Sequence, residues 1–144
     1  MSESSVAGQH FVWPVRVYYE DTDSAGVVYY ANYLRYFERA RTEWLRARGF
    51  EQTDLAAQHQ IVFVVRSINV EYLQPARFND QLHITVELEA PGASQINFVQ
   101  RVLRGVDIIS EAQVRVACVS LLTHKPVRMP KTITEAISAK VVQK

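Results

Sequence analysis

Apolar positions along the 144-residue chain keep one period near the start, switch to another, then switch back. From Phe11 to Glu20, β-branched and aromatic residues dominate and predict a first strand. Between Ala31 and Arg48, the residues Tyr33, Phe37, Ala40, Trp44 and Ala47 follow one another at helical steps of four and three, forming one stripe. Tyr36 widens that stripe, and Leu34 and Leu45 lie beyond it. More than half the helix surface is therefore apolar, which requires other structure wrapped around it. Arg35, Arg39, Thr42, Glu43 and Arg46 take the opposite side, with Arg39 and Glu43 spaced to pair across one turn, an interaction of roughly 0.2–0.5 kcal/mol. Gly49 stands where a C-terminal cap belongs.

After the helix the period returns to two. Val62, Val64, Arg66, Ile68, Val70 and Tyr72 alternate with a second set until Pro75. Leu82, Ile84, Val86, Leu88 and Ala90 alternate with His83, Thr85, Glu87 and Glu89, giving one buried and one wet face. Pro91-Gly92 predicts a turn, Gln95 to Leu103 a strand, Gly105-Val106-Asp107 another turn, and Ser110 to Thr123 a long last strand. Pro126 and Pro130 break regular pairing. Short connections favour antiparallel neighbours. The expected fold class is α+β, a five-stranded antiparallel sheet curved around one long helix. No repeat or linker divides the chain, so residues 11–130 read as a single domain, with 1–10 a flexible tail and 131–144 a tail or short helix. One face of one helix cannot cover five strands, so dimerisation is expected to complete the structure.

Composition narrows the function. Sixteen basic against fifteen acidic residues leave a formal charge of +1, which gives no electrostatic case for nucleic acid and little self-repulsion against oligomers. Cys118 is the only cysteine, so neither an intrachain disulfide nor a four-cysteine metal site is expected, and a reducing compartment fits. The first ten residues lack the basic and apolar regions of a signal peptide. The aliphatic run Ile61–Val65 is far short of the roughly 20 residues that span a bilayer. A cytoplasmic protein without a transmembrane segment is expected.

The stretch with chemistry in it is VYYEDTDSAGVVYYANYLRYFERARTEWLRAR, Val17 to Arg48. Asp21 and Asp23 sit in a loop just upstream of the long helix, and Gly26 follows. A helix start offers free backbone N–H groups and a partial positive charge. Such donors stabilise a developing oxyanion, an effect of about 10²–10³ in rate per donor. A carboxylate beside them is the minimum equipment for acyl transfer without a serine. On spacing alone, a turn-capping or helix-capping role for either aspartate competes with catalysis.

The string YYEDTDSAGVVYYANYLRYFERARTEWLR resembles the signature of the 4-hydroxybenzoyl-CoA thioesterase family and, more closely, the acyl-CoA thioesterases associated with the bacterial Tol–Pal gene cluster. The pattern Asp-x-Asp-x-x-Gly-x-x-x-Tyr/His-x-x-Tyr runs into the helix, and the strand order agrees from about Phe11 to Pro130. The resemblance implies a hotdog fold, dimers that commonly pair into tetramers, active sites at subunit interfaces, and no metal or organic cofactor. It implies hydrolysis of acyl-CoA thioesters, with short-chain or aromatic acyl groups expected. The family's catalytic carboxylate falls on Asp23 and its polarising backbone N–H on Tyr30. Gly26 keeps the loop narrow enough for the acyl group, and Tyr19 is a candidate pocket residue. The Tol–Pal-associated members usually carry histidine where this chain has Tyr30, while the hydroxybenzoyl type carries tyrosine. Whether Asp23 attacks or activates water stays open, since both roles need one carboxylate at one carbon. The alternatives are an acyl-carrier-protein thioesterase, a hotdog hydratase, and a non-catalytic acyl-CoA binder or envelope-associated interaction protein. The absence of histidine from residues 11 to 58 argues against the hydratase.

Other reactive residues have plainer readings. Four histidines, His10, His59, His83 and His124, show no ligand spacing. No Gly-x-Ser-x-Gly elbow or phosphate loop is present. Cys118 reads as a buried structural thiol. Arg41 projects toward the apolar side of the helix and needs an acidic or carbonyl partner, with a structural ion pair expected. Lys125 and Arg128, and after them Arg104, are candidates for the CoA phosphates.

Overall fold

The computed structural model describes residues 11–89 and 92–138. The N-terminal tail with His10, the Ala90 and Pro91 positions of the third strand and its turn, and residues 139–144 lie outside the described residues. Strand β1 (Phe11–Arg16) leads through a 3-10 turn (Tyr19–Asp21) to the long helix α1 (Tyr30–Ala47) and a short helix α2 (Gln52–His59). Four strands follow, β2 (Ile61–Tyr72), β3 (Gln81–Leu88), β4 (Gln95–Arg104) and β5 (Asp107–Ser120), and helix α3 (Lys131–Ser138) comes last. All pairings are antiparallel, in the order β1-β3-β4-β5-β2.

The core lies between α1 and one face of this sheet. Tyr33, Tyr36, Phe37, Ala40, Trp44 and Leu45 are buried against Leu82, Ile84, Val86, Phe98, Val102 and Val114. Each large side chain so buried contributes on the order of 1.5–3 kcal/mol. Gly49 closes α1 at φ +93°, a conformation a Cβ would strain. Gly105 (φ +62°) opens the two-residue turn between Arg104 and Asp107, where glycine suits the first central position. In α3, Ile133 and Ile137 are buried in the same core.

α1 is not centred on the sheet. It lies over β3, β1 and β4 and makes only slight contact with β5 and β2. Two inward-facing residues of β2 are consequently half open: Val65 is 44% and Tyr72 46% exposed, while Ile61 is buried.

Several elements differ from the sequence expectation. β1 ends at Arg16 instead of Glu20, because the Asp21 carboxylate takes the Tyr18 N–H at 2.8 Å and starts the 3-10 turn. The register of β2 slips between Val65 and Ser67. The inward set is therefore Ile61, Phe63 and Val65, then Ile68, Val70 and Tyr72, and Val62 and Val64 face outward. The sequence pattern does not predict α2, because Leu55 is its only buried residue and it carries almost no periodic signal. Glu43 pairs with Arg46 and not with Arg39, because Arg46 sits between Glu43 and Glu51 and binds both.

Candidate active site

The loop between β1 and α1 is built by its own carboxylates. Thr22 and Val28 form a bridge, as do Val27 and Arg77, so residues 22–28 make a small hairpin. At its tip, the Gly26 N–H donates to the Asp23 carbonyl at 3.0 Å, with Gly26 at φ +83°. The Asp23 side chain accepts the Ala25 N–H at 2.8 Å, a local Asx turn. Asp23 is otherwise exposed.

Asp21 does different work. Besides its bond from Tyr18, its main-chain oxygen accepts the Tyr29 N–H at 3.0 Å and the Asn32 side-chain amide at 2.8 Å. Burial first, and then the neighbouring Asp21 carboxylate, hold the Tyr36 hydroxyl neutral well above its ordinary range. Asp21 therefore ties the loop to the helix, and Asp23 is the carboxylate left at the surface.

α1 starts without a side-chain cap: Tyr29 at the N-cap position offers no bond, and the first turn holds no acidic residue. The Asn32 N–H bonds the Tyr29 carbonyl at 2.8 Å, while the Tyr30 N–H is left without an acceptor among the described residues, at the positive end of the helix. Next to this start lies a cavity of about 230 Å³ lined by Val28, Tyr30, Tyr33, Tyr72, Leu73, Gln74 and Pro75. Three tyrosines form one wall. Tyr72 packs edge-on against Tyr30 at 5.7 Å and tilts against Tyr33 at 5.6 Å, and the Tyr33 hydroxyl accepts the Ala76 N–H at 3.1 Å. Desolvation raises the Tyr33 and Tyr72 hydroxyls above their ordinary range, so both stay protonated at neutral pH.

The structure brings Asp23, Gly26 and Tyr30 together on one loop-to-helix segment. Tyr19 stands on the 3-10 turn, exposed, its ring edge-on to Phe78 at 5.9 Å. Lys125 and Arg128 follow β5 at the end where Ser120 pairs with Ile61, whereas Tyr72 pairs with Ser110. Within one chain they are separated from the Asp23 loop by most of the length of β2, roughly 30 Å at 3.3 Å per residue. Arg104 holds the 75–80 loop, donating to Pro75 O at 3.1 Å and pairing with Asp80 at 2.8 Å. Arg41 has no salt bridge among the described residues; its partner is the Gln100 side-chain oxygen at 2.9 Å. The sequence marks Tyr72 and Leu73 only as part of a strand run, with no signal of a cleft.

One long helix wrapped by a five-stranded antiparallel sheet, its uncapped start following a carboxylate-bearing hairpin, is the hotdog architecture of thioesterases. A family model of the thioesterase-like superfamily matches residues 17–137, and the chain belongs to that family. The acyl-CoA thioesterase YbgC of Haemophilus influenzae is 46% identical over 126 residues, covering 88% of this chain and 93% of that protein. The acyl-CoA thioester hydrolase YbgC of Escherichia coli O6:H1 is 48% identical over 124 residues, covering 85% and 92%. A 1,4-dihydroxy-2-naphthoyl-CoA thioesterase structure from Synechocystis matches with a TM-score of 0.83 at 21% identity, over 90% of this chain and 96% of that one; this likeness is one of fold. No described helix is long and apolar enough to cross a membrane.

Proposed function

We propose that the protein hydrolyses acyl-CoA thioesters, R–CO–S–CoA plus water giving R–COOH and HS–CoA. The observation that carries this reading is the uncapped start of α1 directly after the hairpin that exposes Asp23. The Tyr30 N–H holds the thioester oxygen as negative charge builds on it. Asp23 either attacks the carbonyl carbon, giving a mixed anhydride that water then opens, or takes a proton from the attacking water. The CoA sulfur leaves and gains a proton. The backbone N–H does this work whether position 30 is tyrosine or histidine. The aromatic cleft at Tyr30, Tyr33 and Tyr72 suits a short or aromatic acyl group. An acyl-carrier-protein thioester is the alternative donor.

Two copies join through β2. That strand has one edge free in the order β1-β3-β4-β5-β2, and its inner face is half uncovered. Antiparallel pairing of the two β2 edges places the Ile61 end of one copy beside the Tyr72 end of the other. Lys125 and Arg128 of the second copy then flank the cleft, where the CoA phosphates need cations. Two such dimers pair into a tetramer. Free CoA thioesters and a single buried Cys118 thiol suit the reducing cytoplasm.

Thiol release followed across short, long and aromatic acyl-CoAs, with wild type and Asp23→Asn, tests the reading. Release by wild type and not by the variant is expected. Binding of acyl-CoA with no release from any thioester, carrier-protein thioesters included, would identify a non-catalytic binder instead.

A further inference from the structure

A second cavity, about 90 Å³, opens between α1 and the uncovered end of the sheet. Trp44, Leu45, Phe63, Val65 and Phe98 give it apolar walls, and Arg41 adds a charge. Arg41 is an odd residue to find there. Its Nη1–H donates to Gln100 Oε1 at 2.9 Å. Gln100 is wholly buried and fixed, its own amide donating to the Phe37 carbonyl at 3.1 Å. A guanidinium has five N–H donors, and a neutral amide oxygen occupies one of them. Among the described residues no carboxylate forms a salt bridge with it. Glu38, one turn earlier and exposed, lines the same cavity and acts on Arg41 through space without a hydrogen bond. Desolvation lowers Arg41 to about 10, so it remains a cation at neutral pH. Partly burying a cation without an anion in direct contact is costly, and functional sites are where such costs persist.

The cavity has a defined place relative to the catalytic cleft. Phe63 and Val65 lie toward one end of β2, and Tyr72, in contact with Tyr30 and Tyr33, lies at the other. Antiparallel pairing of two β2 edges brings the Arg41 cavity of one copy beside the cleft of the other. We propose that Arg41 of one copy reads the far end of the acyl group held at Tyr30 of the other, favouring CoA half-thioesters of short dicarboxylic acids. This rests on the thioesterase reading and its dimer. A carboxylate is the planar two-oxygen acceptor that a guanidinium fork matches.

The test compares kcat/KM for glutaryl-CoA and pentanoyl-CoA, equal in chain length, in wild type, Arg41→Gln and Arg41→Lys. Wild type favours the glutaryl thioester, and Arg41→Gln lowers the glutaryl-to-pentanoyl ratio roughly 10- to 100-fold, with Arg41→Lys between the two. An unchanged ratio, with both substrates slowed alike or only Tm moved, would mean a structural role and overturn the proposal. Hybrid dimers of Asp23→Asn and Arg41→Gln chains place the residue: wild-type preference returns if Arg41 acts across the interface. If the hybrid keeps the ratio of the Arg41→Gln enzyme, the cross-copy assignment is wrong. Pentanoyl-CoA hydrolysis by wild type without glutaryl preference rejects the Arg41 role and leaves the thioesterase standing. No thiol release from any thioester rejects both.

Discussion

Asn32, in the first turn of α1, donates its side-chain amide to the main-chain oxygen of Asp21 at 2.8 Å. The bond, together with the Tyr29 N–H on the same oxygen at 3.0 Å, clamps the hairpin that carries Asp23 onto the helix start that presents the Tyr30 N–H. Replacing Asn32 with alanine removes a half-buried hydrogen bond, costing about 1 kcal/mol of stability. If the bond sets the catalytic geometry, kcat falls by a larger factor than this stability loss alone would produce, with KM changing less. Steady-state kinetics beside a thermal melt separate the two effects.

The two aspartates are expected to fail differently. Asp23→Ala removes an exposed carboxylate and a local turn bond, so Tm changes little while turnover drops about 10³-fold or more. Asp21→Ala leaves the Tyr18 N–H without its acceptor and lowers stability by about 1–2 kcal/mol. Circular dichroism melts and thiol release on the same preparations decide it; a Asp23 variant with near-wild-type rates would end the catalytic assignment.

Gly26 is constrained by its backbone and not by its surroundings. A Cβ there meets nothing within 4 Å, yet φ is +83°. Gly26→Ala therefore costs about 1–2 kcal/mol through the left-handed conformation alone, and Gly26→Asn, which tolerates that region better, costs less. Equal Tm losses in both variants would point to crowding in place of backbone strain.

Stability at high pH carries a signature of Cys118. Burial pushes its thiol up to about 11 from an ordinary value of 9.0. Below pH 9 both folded and unfolded chains keep the proton, and the thiol's stabilising contribution is whole. Between pH 9 and about 11 the unfolded chain loses its proton first, so unfolding gains and stability falls. Denaturant unfolding of wild type and Cys118→Ala should show their difference shrinking by on the order of 1–2 kcal/mol across that window. A constant difference would mean the thiol is not desolvated.

Local pattern carried most of the fold. The stripe Tyr33, Phe37, Ala40, Trp44 set α1 and its buried face, and the turn residues at Gly49 and Gly105 set boundaries. The loop holding Asp21, Asp23 and Gly26 was legible by its motif, although only the structure separates the anchoring carboxylate from the exposed one. What stayed hidden depends on distant or unmarked events. The slip at Arg66 reverses the facing of half of β2, and no residue type announces it. The Arg41 partner, Gln100, is 59 residues away, beyond the reach of any helical spacing. The offset of α1 toward β1 follows from packing of the whole sheet.

The two outer strands of the sheet are unequal. β1 has six residues and includes Pro14, which has no N–H to give, while β2 has twelve. In the vocabulary of polymer chemistry, the proposed pairing through β2 makes such a chain monofunctional, with one reactive edge and one capped edge. Monofunctional units stop at pairs and cannot grow into ribbons. With pairing through β2 as proposed, a long apolar strand can stay open for partnership without seeding fibres, and any assembly larger than two is expected to be made by faces and not by edges.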